Sequence, residues 1–117
     1  MSESTYNLFQ QGRNRLREGM AAQALVPLEK AKRREPNKAS IREALGIAYF
    51  RLRRWQEAET EFRAILELAP TDDYAHYALG RSLEKQGRDQ EANRHYKLAS
   101  SLRPQNADYS ARILDLD

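Results

Sequence analysis

Apolar residues along this chain recur every three or four positions and do not alternate with polar ones. That spacing places them on one face of an α-helix. It predicts six helices of about fourteen residues, each about 21 Å long at 1.5 Å per residue, followed by a shorter seventh helix. The predicted helices span residues 5–18, 21–34, 39–52, 55–68, 73–86, 89–102 and about 107–116. We therefore expect an all-α protein.

Prolines divide this pattern at a constant interval. Pro36, Pro70 and Pro104 stand thirty-four residues apart, and each follows the second helix of a pair. Proline lacks a backbone N–H and disfavours the continuation of a helix, so each of these three ends its pair. A fixed period of this length indicates stacked copies of one helix-turn-helix unit.

Glycine recurs with the same period at the centre of the first helix of each pair, where it costs about 0.5–1 kcal/mol relative to alanine. A cost repeated at Gly12, Gly46 and Gly80 implies that the paired helix approaches closely there. We expect small residues to face these glycines and large residues to fill the next layer. The small residues are Ala24, Ala58 and Ala92, and the large ones are Leu28, Phe62 and Tyr96.

The bends between paired helices also follow the repeat. Gly19 and Gly87 lie at the bends of the first and third pairs, where glycine adopts a left-handed conformation at little cost. Arg53 and Arg54 occupy the same place in the second pair. We read Trp55, which opens the next helix, as a structural residue.

These residues closely resemble the tetratricopeptide repeat family. The stretch Leu45–Tyr49, the stretch Ala58–Phe62 and Pro70 match its signature, and the other two pairs match it less fully. The resemblance implies an α-solenoid of three helix-turn-helix repeats in a right-handed superhelix, with a C-terminal solvating helix. The repeats are residues 5–38, 39–72 and 73–106, the last helix is about 107–116, and residues 1–117 form one domain.

The two ends of the predicted stack differ from its middle. Gln11 and Arg15 replace the apolar residues usual in this family, as expected of an end repeat that faces water. At the other end, apolar residues of the last helix should cover the open face, and we expect the chain to be a complete array. These covering residues are Tyr109, Ile113, Leu114 and Leu116.

Composition narrows the function classes. The 117 residues include no cysteine, which excludes disulfides, thiol catalysis and cysteine-ligated zinc. No run of eighteen apolar residues is present, and the start MSESTYN lacks the basic and apolar regions of an export signal. A cytoplasmic location is the resulting expectation. The net charge of +3 mildly favours acidic partners.

The resemblance further implies that the first helices of the pairs line a concave surface that binds peptides. By alignment, that surface holds mainly aromatic and arginine side chains, with Glu43 and Glu84 as its only acids. Tyrosine and arginine are enriched at binding hot spots, and arginine binds carboxylates through two hydrogen bonds. The predicted binding residues are Tyr6, Phe9, Arg13, Arg17, Ile47, Phe50, Arg51, Tyr74, Tyr77, Arg81 and Lys85.

Structural interpretations of the same surface stay open at this point. Phe50 and Tyr77 could instead pack against neighbouring helices, the arginines could be solvated, and the seventh helix could fold across the groove. One subclass of the family clamps the terminal carboxylate of chaperone tails with lysines and asparagines. The matching positions here lack that set, which argues against a co-chaperone role; they hold Phe9, Arg13, Ala44, Tyr74 and Ala78.

We therefore predict a non-catalytic adaptor that binds, with micromolar affinity, a short peptide segment carrying carboxylates and an apolar anchor. No cofactor, metal or membrane is expected, and the protein should be a monomer or associate weakly. Two alternatives remain. The aromatic and arginine side chains could stack and hold single-stranded nucleic acid, although we consider nucleic acid the weaker reading. The groove could also accept the tail of a second copy, residues 114–117.

Three further patterns carry weaker signals. His76 lies one turn after Asp72 and Asp73, a spacing that could hold a metal ion but more often reflects solvated side chains. His95 follows Glu91 at the same spacing, which favours a charge pair. The basic run from Lys30 to Arg34 could bind nucleic acid, but cations in the last turn of a helix also complement its dipole, and we favour that reading.

Overall fold

The computed structural model describes residues 3–116 and consists of seven helices. The first six end within two residues of the predicted positions, and no strand occurs in the described span. The helices are α1 Thr5–Arg17, α2 Ala21–Arg34, α3 Ala39–Arg51, α4 Trp55–Leu68, α5 Asp73–Glu84, α6 Asp89–Leu102 and α7 Ala107–Ala111. The prediction of an all-α protein is confirmed.

The three tight bends inside the helix pairs share one backbone geometry. Gly19, Arg53 and Gly87 have φ values of 76°, 61° and 77°, all in the left-handed region. At the first bend the N–H of Gly19 donates to the carbonyl of Leu16, and the N–H of the next residue donates back across the turn. The other two bends repeat both bonds. This arrangement is the Schellman motif, which ends a helix by satisfying its last carbonyl groups.

The helices pack mainly against their chain neighbours, and the molecule is elongated, with extents of 57 × 24 × 21 Å. One apolar core runs along its length, because every repeat buries the same positions. These include the three periodic alanines, Ala24, Ala58 and Ala92, and the three periodic large residues, Leu28, Phe62 and Tyr96, none of them more than 1% exposed.

The periodic glycines face large side chains, which corrects the expectation that they face alanines. A Cβ atom on Gly46 would lie 2.6 Å from Cζ of Phe62, and one on Gly80 would lie 2.6 Å from Cε1 of Tyr96. At Gly12 the obstructing side chain is Leu28. The missing methyl group therefore makes room for an aromatic or branched side chain of the paired helix.

The last helix is shorter than predicted, ending at Ala111 and not near residue 116. Tyr109 is buried and its hydroxyl donates to Asp73 at 2.7 Å, which ties α7 to α5. Beyond the helix, the N–H of Leu114 donates to Oδ1 of Asn93 on α6 at 2.6 Å. The N–H of Leu114 thus donates to a side chain and not to a backbone carbonyl one turn earlier, so the helix does not continue to this residue.

The apolar residues after α7 cover the end of the stack only in part. Ile113 packs on the core and Leu114 is half-buried. Leu116, also predicted to cover the end, is 43% exposed, because the chain has left the helix by then. Asp117, the last residue of the predicted tail segment, lies outside the described residues. At the first end of the stack, Gln11 and Arg15 are exposed as predicted.

None of the helices within residues 3–116 combines the length and the apolar character that crossing a membrane requires.

Candidate functional site

Helices α1, α3 and α5 line a groove made of two adjoining pockets that share Ile47 and Arg51. The arginine pocket, between α1 and α3, has a volume of about 410 Å³, and its lining is Phe9, Arg13, Leu16, Arg17, Ser40, Glu43, Ala44, Ile47 and Arg51. The aromatic pocket, between α3 and α5, has a volume of about 250 Å³, and its lining is Ile47, Phe50, Arg51, Phe62, Tyr74, Tyr77, Ala78 and Arg81.

Nine of the eleven predicted binding residues line these two pockets. They are Phe9, Arg13, Arg17, Ile47, Phe50, Arg51, Tyr74, Tyr77 and Arg81. Tyr6 and Lys85 lie apart from them. Tyr6 is 68% exposed and lines a separate pocket, which it shares with Phe9. Lys85 places its ammonium 5.7 Å above the Trp55 ring, outside the groove.

Aromatic rings in mutual contact form one wall of the aromatic pocket. The Tyr74 ring lies 6.4 Å from Phe62 in an edge-on arrangement and 6.2 Å from Tyr77. Tyr77 in turn contacts Tyr109 of α7, with ring centroids 5.0 Å apart. These separations suit favourable aromatic pairs, so the rings of the wall support one another. The last helix therefore supports the groove from behind Tyr77 at this point.

Phe50 and Tyr77 both pack and face the groove, so the two interpretations of these residues are compatible. Phe50 meets Trp55 edge-on, with ring centroids 4.9 Å apart. Phe62 was missed as a groove residue because its period assigned it to the layer between paired helices. The sequence did contain an indication of this role. Because Gly46 has no side chain, the long ring of Phe62 can extend past it and reach the groove surface.

The four groove arginines differ in how firmly the protein holds them. Arg51 donates from Nη1 to the backbone carbonyl of Leu16 at 2.8 Å, so this carbonyl near the end of α1 has a second donor beside the N–H of Gly19. Arg17 donates to the side chain of Asn14 at 3.1 Å. Arg13 lies 5.5 Å from the Phe9 ring centroid and Arg81 lies 5.3 Å from that of Phe50.

Stacking on a ring leaves the N–H donors of a guanidinium available to a ligand. Within residues 3–116, none of the four groove arginines, Arg13, Arg17, Arg51 and Arg81, forms an ion pair with a carboxylate. The groove can therefore offer positive charge and unused donors beside an apolar ring wall.

The two predicted acids of this face have different surroundings. Glu84 accepts a hydrogen bond from the Tyr96 hydroxyl at 2.7 Å and belongs to the packing of α5 on α6. Glu43 lines the arginine pocket and is half-buried. Burial raises the pKa of the Glu43 carboxyl above its ordinary value, the charge of Asp72 raises it further, and Arg13 opposes both.

The two histidines pair with each other, contrary to both sequence interpretations. Nδ1 of His76 lies 3.0 Å from Nδ1 of His95, and Nε2 of His76 lies 2.8 Å from the carbonyl oxygen of Pro70. A carbonyl only accepts, so Nε2 of neutral His76 carries the proton and its Nδ1 accepts from His95.

The acids near the histidines have other partners. Asp72 caps α5 by accepting from the N–H of Ala75 at 3.0 Å, and Asp73 binds the Tyr109 hydroxyl. Glu91 pairs with Arg63 and Arg88, so the predicted His95–Glu91 pair is wrong. No group of three potential metal ligands occurs in the part of the chain described here.

The basic run near residue 30 ends a helix, as the dipole interpretation predicts. Lys32, Arg33 and Arg34 lie in the last turn of α2. Lys32 also reaches Glu61 of α4 at 3.0 Å. The sequence analysis missed this second contact, since nothing in the run itself distinguishes Lys32 from its neighbours.

A family model described as tetratricopeptide repeat matches residues 9–73 and 43–107. Among solved structures, the first TPR of Spaghetti (RPAP3), bound to the HSP90 peptide SRMEEVD, superposes with a TM-score of 0.90 at 20% sequence identity. That alignment covers 97% of this chain and 90% of the other. No curated protein matches in a sequence search.

Two further structures have the same architecture. A mutant of MamA gives a TM-score of 0.82 at 29% identity, over 86% of this chain and 74% of that one. YrrB, a TPR protein with an unusual peptide-binding site, gives 0.89 at 19% identity, over 94% of this chain and 57% of that one. The chain thus spans less than two thirds of YrrB. Identities this low establish a shared fold.

Proposed function

Because the chain belongs to the tetratricopeptide repeat family, we propose that it is a non-catalytic adaptor whose groove binds a short segment of another protein. One observation carries the proposal: guanidinium groups that have no ion-pair partner within residues 3–116 lie next to a wall of aromatic rings in mutual contact. The N–H donors suit carboxylates, and the rings suit an apolar side chain. The sequence has no cysteine, which suits the cytoplasm, and we include that location in the proposal.

Two relatives of this fold supply context. The Spaghetti domain is bound to a peptide that contains two glutamates and an aspartate, and YrrB has a peptide-binding site. Only the general mode of binding, a peptide held in the groove, is proposed for this chain. The positions that would clamp a terminal carboxylate are occupied by Phe9, Arg13, Ala44, Tyr74 and Ala78, which include one cation and no asparagine. We therefore propose recognition of an internal acidic and apolar segment, with micromolar affinity because the segment loses entropy when it is ordered.

The experiment selects ligands from a phage-displayed library of random dodecapeptides, and measures the dissociation constants of synthetic copies by fluorescence anisotropy. The test variant is Arg13→Ala with Arg81→Ala, because these two arginines hold no carboxylate or backbone group. The matched control is Arg33→Ala with Arg34→Ala, two exposed arginines at the end of α2. We expect the groove variant to bind at least tenfold more weakly and the control to bind normally. Equal binding by both variants would remove the groove from the account.

Nucleic acid and self-association are tested with the same protein. A labelled mixed-sequence single-stranded oligonucleotide at low salt should not bind, since the carboxylate of Glu43, which lines the arginine pocket, would repel the phosphates there. Light scattering across a concentration series should give the monomer mass. Oligonucleotide binding that the Arg13 and Arg81 variant abolishes would replace the peptide reading with the nucleic-acid one.

A further inference from the structure

Glu43 is an acid without a partner in a groove of arginines. Its side chain is on α3, lines the arginine pocket, and is half-buried. Within residues 3–116 it takes part in no ion pair, although the pocket also contains Arg13, Arg17 and Arg51. Because it is half-buried, this carboxylate remains open to solvent on one side in the free protein.

The neighbouring cations are directed elsewhere. Arg51 is bonded to the carbonyl of Leu16, and Arg13 stacks on Phe9. Burial and the negative charge of Asp72 raise the pKa of the Glu43 carboxyl, and burial and the charge of Glu43 raise the pKa of the Tyr74 hydroxyl. Glu43 thus marks a locally negative point within a positively charged groove.

A bound segment would remove water from this point. A carboxylate that loses its water without gaining a donor costs free energy, so a ligand with only acidic and apolar side chains would be penalised there. A ligand that brings a lysine or arginine side chain would replace the lost hydration with a charge-assisted hydrogen bond. Specificity arises from that difference, since it rejects one class of ligand as well as favouring another.

We propose that Glu43 is a specificity-determining residue that selects ligands with a lysine or arginine side chain, so that the bound segment carries charges of both signs. The cation lies against Glu43, and carboxylates of the same segment lie against Arg13 and Arg81. This inference rests on the proposed function, and it adds a cationic side chain to the acidic and apolar ligand expected from the sequence.

The test uses the same phage-displayed dodecapeptides, selected separately on wild type, Glu43→Gln and Glu43→Lys. Glu67→Gln is the matched control, because Glu67 is an exposed acid on α4 away from the groove. Since burial and the charge of Asp72 disfavour the ionised carboxyl of Glu43, and no ion pair is lost within residues 3–116, Glu43→Gln should not lower the melting temperature. The most enriched wild-type peptide is then synthesised twice, once as selected and once with norleucine in place of its cationic residue.

We expect wild type and Glu67→Gln to enrich peptides that contain both Lys or Arg and Asp or Glu. Glu43→Gln should lose the enrichment of Lys and Arg, and Glu43→Lys should enrich acidic residues further. Glu43→Gln should weaken the selected peptide about tenfold and the norleucine peptide less than threefold. If Glu43→Gln weakened the selected peptide and the norleucine peptide by the same factor, the two changes would act independently. That result would contradict a direct pairing of Glu43 with the cation of the peptide.

The failures are distinguishable. If wild type selects groove-dependent peptides that lack Lys and Arg, or if Glu43→Gln leaves the preference unchanged, this inference fails and the adaptor proposal stands. This inference also fails if Arg13 pairs with Glu43 in the complex, because replacing the cationic residue of the peptide by norleucine would then leave its affinity unchanged. If no peptide binds in a manner that Arg13 and Arg81 control, both proposals fail.

Discussion

Gly46 on α3 and the ring of Phe62 on α4 are complementary: a Cβ atom on the glycine would lie 2.6 Å from Cζ and 2.7 Å from Cε1 of the ring. Real side-chain contacts do not approach that closely, so the ring occupies the space that any other residue would need. Phe62 is 1% exposed at this crossing, yet it also borders the aromatic pocket of the groove. Core packing and groove shape therefore depend on the same contact.

Gly46→Ala should destabilise the protein by roughly 1–3 kcal/mol, because the added methyl group overpacks a rigid ring. Helix propensity alone would predict the opposite sign, a gain of about 0.5–1 kcal/mol. The free energy of unfolding from urea titration decides between them. Phe62→Leu added to Gly46→Ala should recover part of the loss, and a double variant that is no better than the single one would show that the ring is not the obstacle.

Arg53→Gly should stabilise the protein by about 0.5–1 kcal/mol, because arginine at this bend holds a left-handed φ of 61°. The converse change, Gly87→Ala, should cost about 1 kcal/mol through the same strain. Open space surrounds Gly87, so the alanine would cause no clash. Urea midpoints of both variants test the idea, which would be wrong if the two substitutions shifted the midpoint in the same direction.

The sequence predicted the helices well because helix ends here depend on local signals. Proline after each pair, glycine at two bends and apolar residues at helical spacing placed six helices to within two residues. The seventh was overestimated because its end depends on a distant partner, Asn93, whose side chain takes the N–H of Leu114. Nothing in the local pattern shows such a tertiary bond.

The groove was predicted in outline and missed in its connections. Periodicity and resemblance placed nine of eleven residues along it. What each side chain does depends on rotamers and neighbours: Arg51 bonds to a backbone carbonyl, whereas Arg81 stacks on a ring. Sequence spacing fixes which face a residue occupies, but it does not fix its partner.

Arg51→Ala should lower stability by about 1 kcal/mol, because the carbonyl of Leu16 loses one of its two hydrogen bonds and keeps only the one from the N–H of Gly19. Arg13→Ala should change stability by less than about 0.5 kcal/mol, since it loses only a partly exposed contact with Phe9. The two arginines have equivalent places in the repeat pattern, so the sequence alone does not distinguish them. Thermal and urea unfolding of the two single variants test the distinction, and equal losses of stability would contradict it.

Stability should decrease as pH falls below neutral, and His95 should be a cause. Burial, the nearby His76 and Arg63 lower the pKa of His95 to about 4 from the ordinary 6.5, and Glu91 opposes them. The folded pKa is the lower one, so the unfolded chain binds the proton first. The contribution of this group is complete above about pH 6.5 and is lost as pH falls toward about 4.

His95→Gln keeps a donor for Nδ1 of His76 and removes the titrating group. Its urea midpoint should therefore vary less than that of wild type between about pH 6.5 and pH 4.5, a window above the ordinary pKa of carboxylates. An NMR titration of the wild-type imidazole should give a pKa well below 6.5. Identical pH profiles for wild type and variant would exclude His95 as the source.

At the junction between the first two repeats, charged residues occupy the positions that the two histidines occupy in the third repeat. Arg42 and Glu61 precede His76 and His95 by one period, and like His76, Arg42 also bonds to the carbonyl of the preceding proline, Pro36, at 2.9 Å. Glu61 is 2% exposed and pairs with both Arg42 and Lys32 at 3.0 Å. One carboxylate thus joins α2, α3 and α4.

Glu61→Ala should destabilise the protein by about 2–3 kcal/mol, because it leaves two cations facing a space that has lost its negative charge. The loss should fall at the lower end of the range for buried pairs, since Lys32 and Arg42 still reach water at 24% and 18% exposure. Glu67→Ala, an exposed acid on the same helix, is the matched control and should cost less than about 0.5 kcal/mol. Urea unfolding followed by circular dichroism measures both. Equal losses would mean that Glu61 contributes only helix propensity. A larger loss, with a partial transition at low urea concentration, would show that the first repeat unfolds before the others. That behaviour is expected when each repeat is stabilised chiefly by its neighbour.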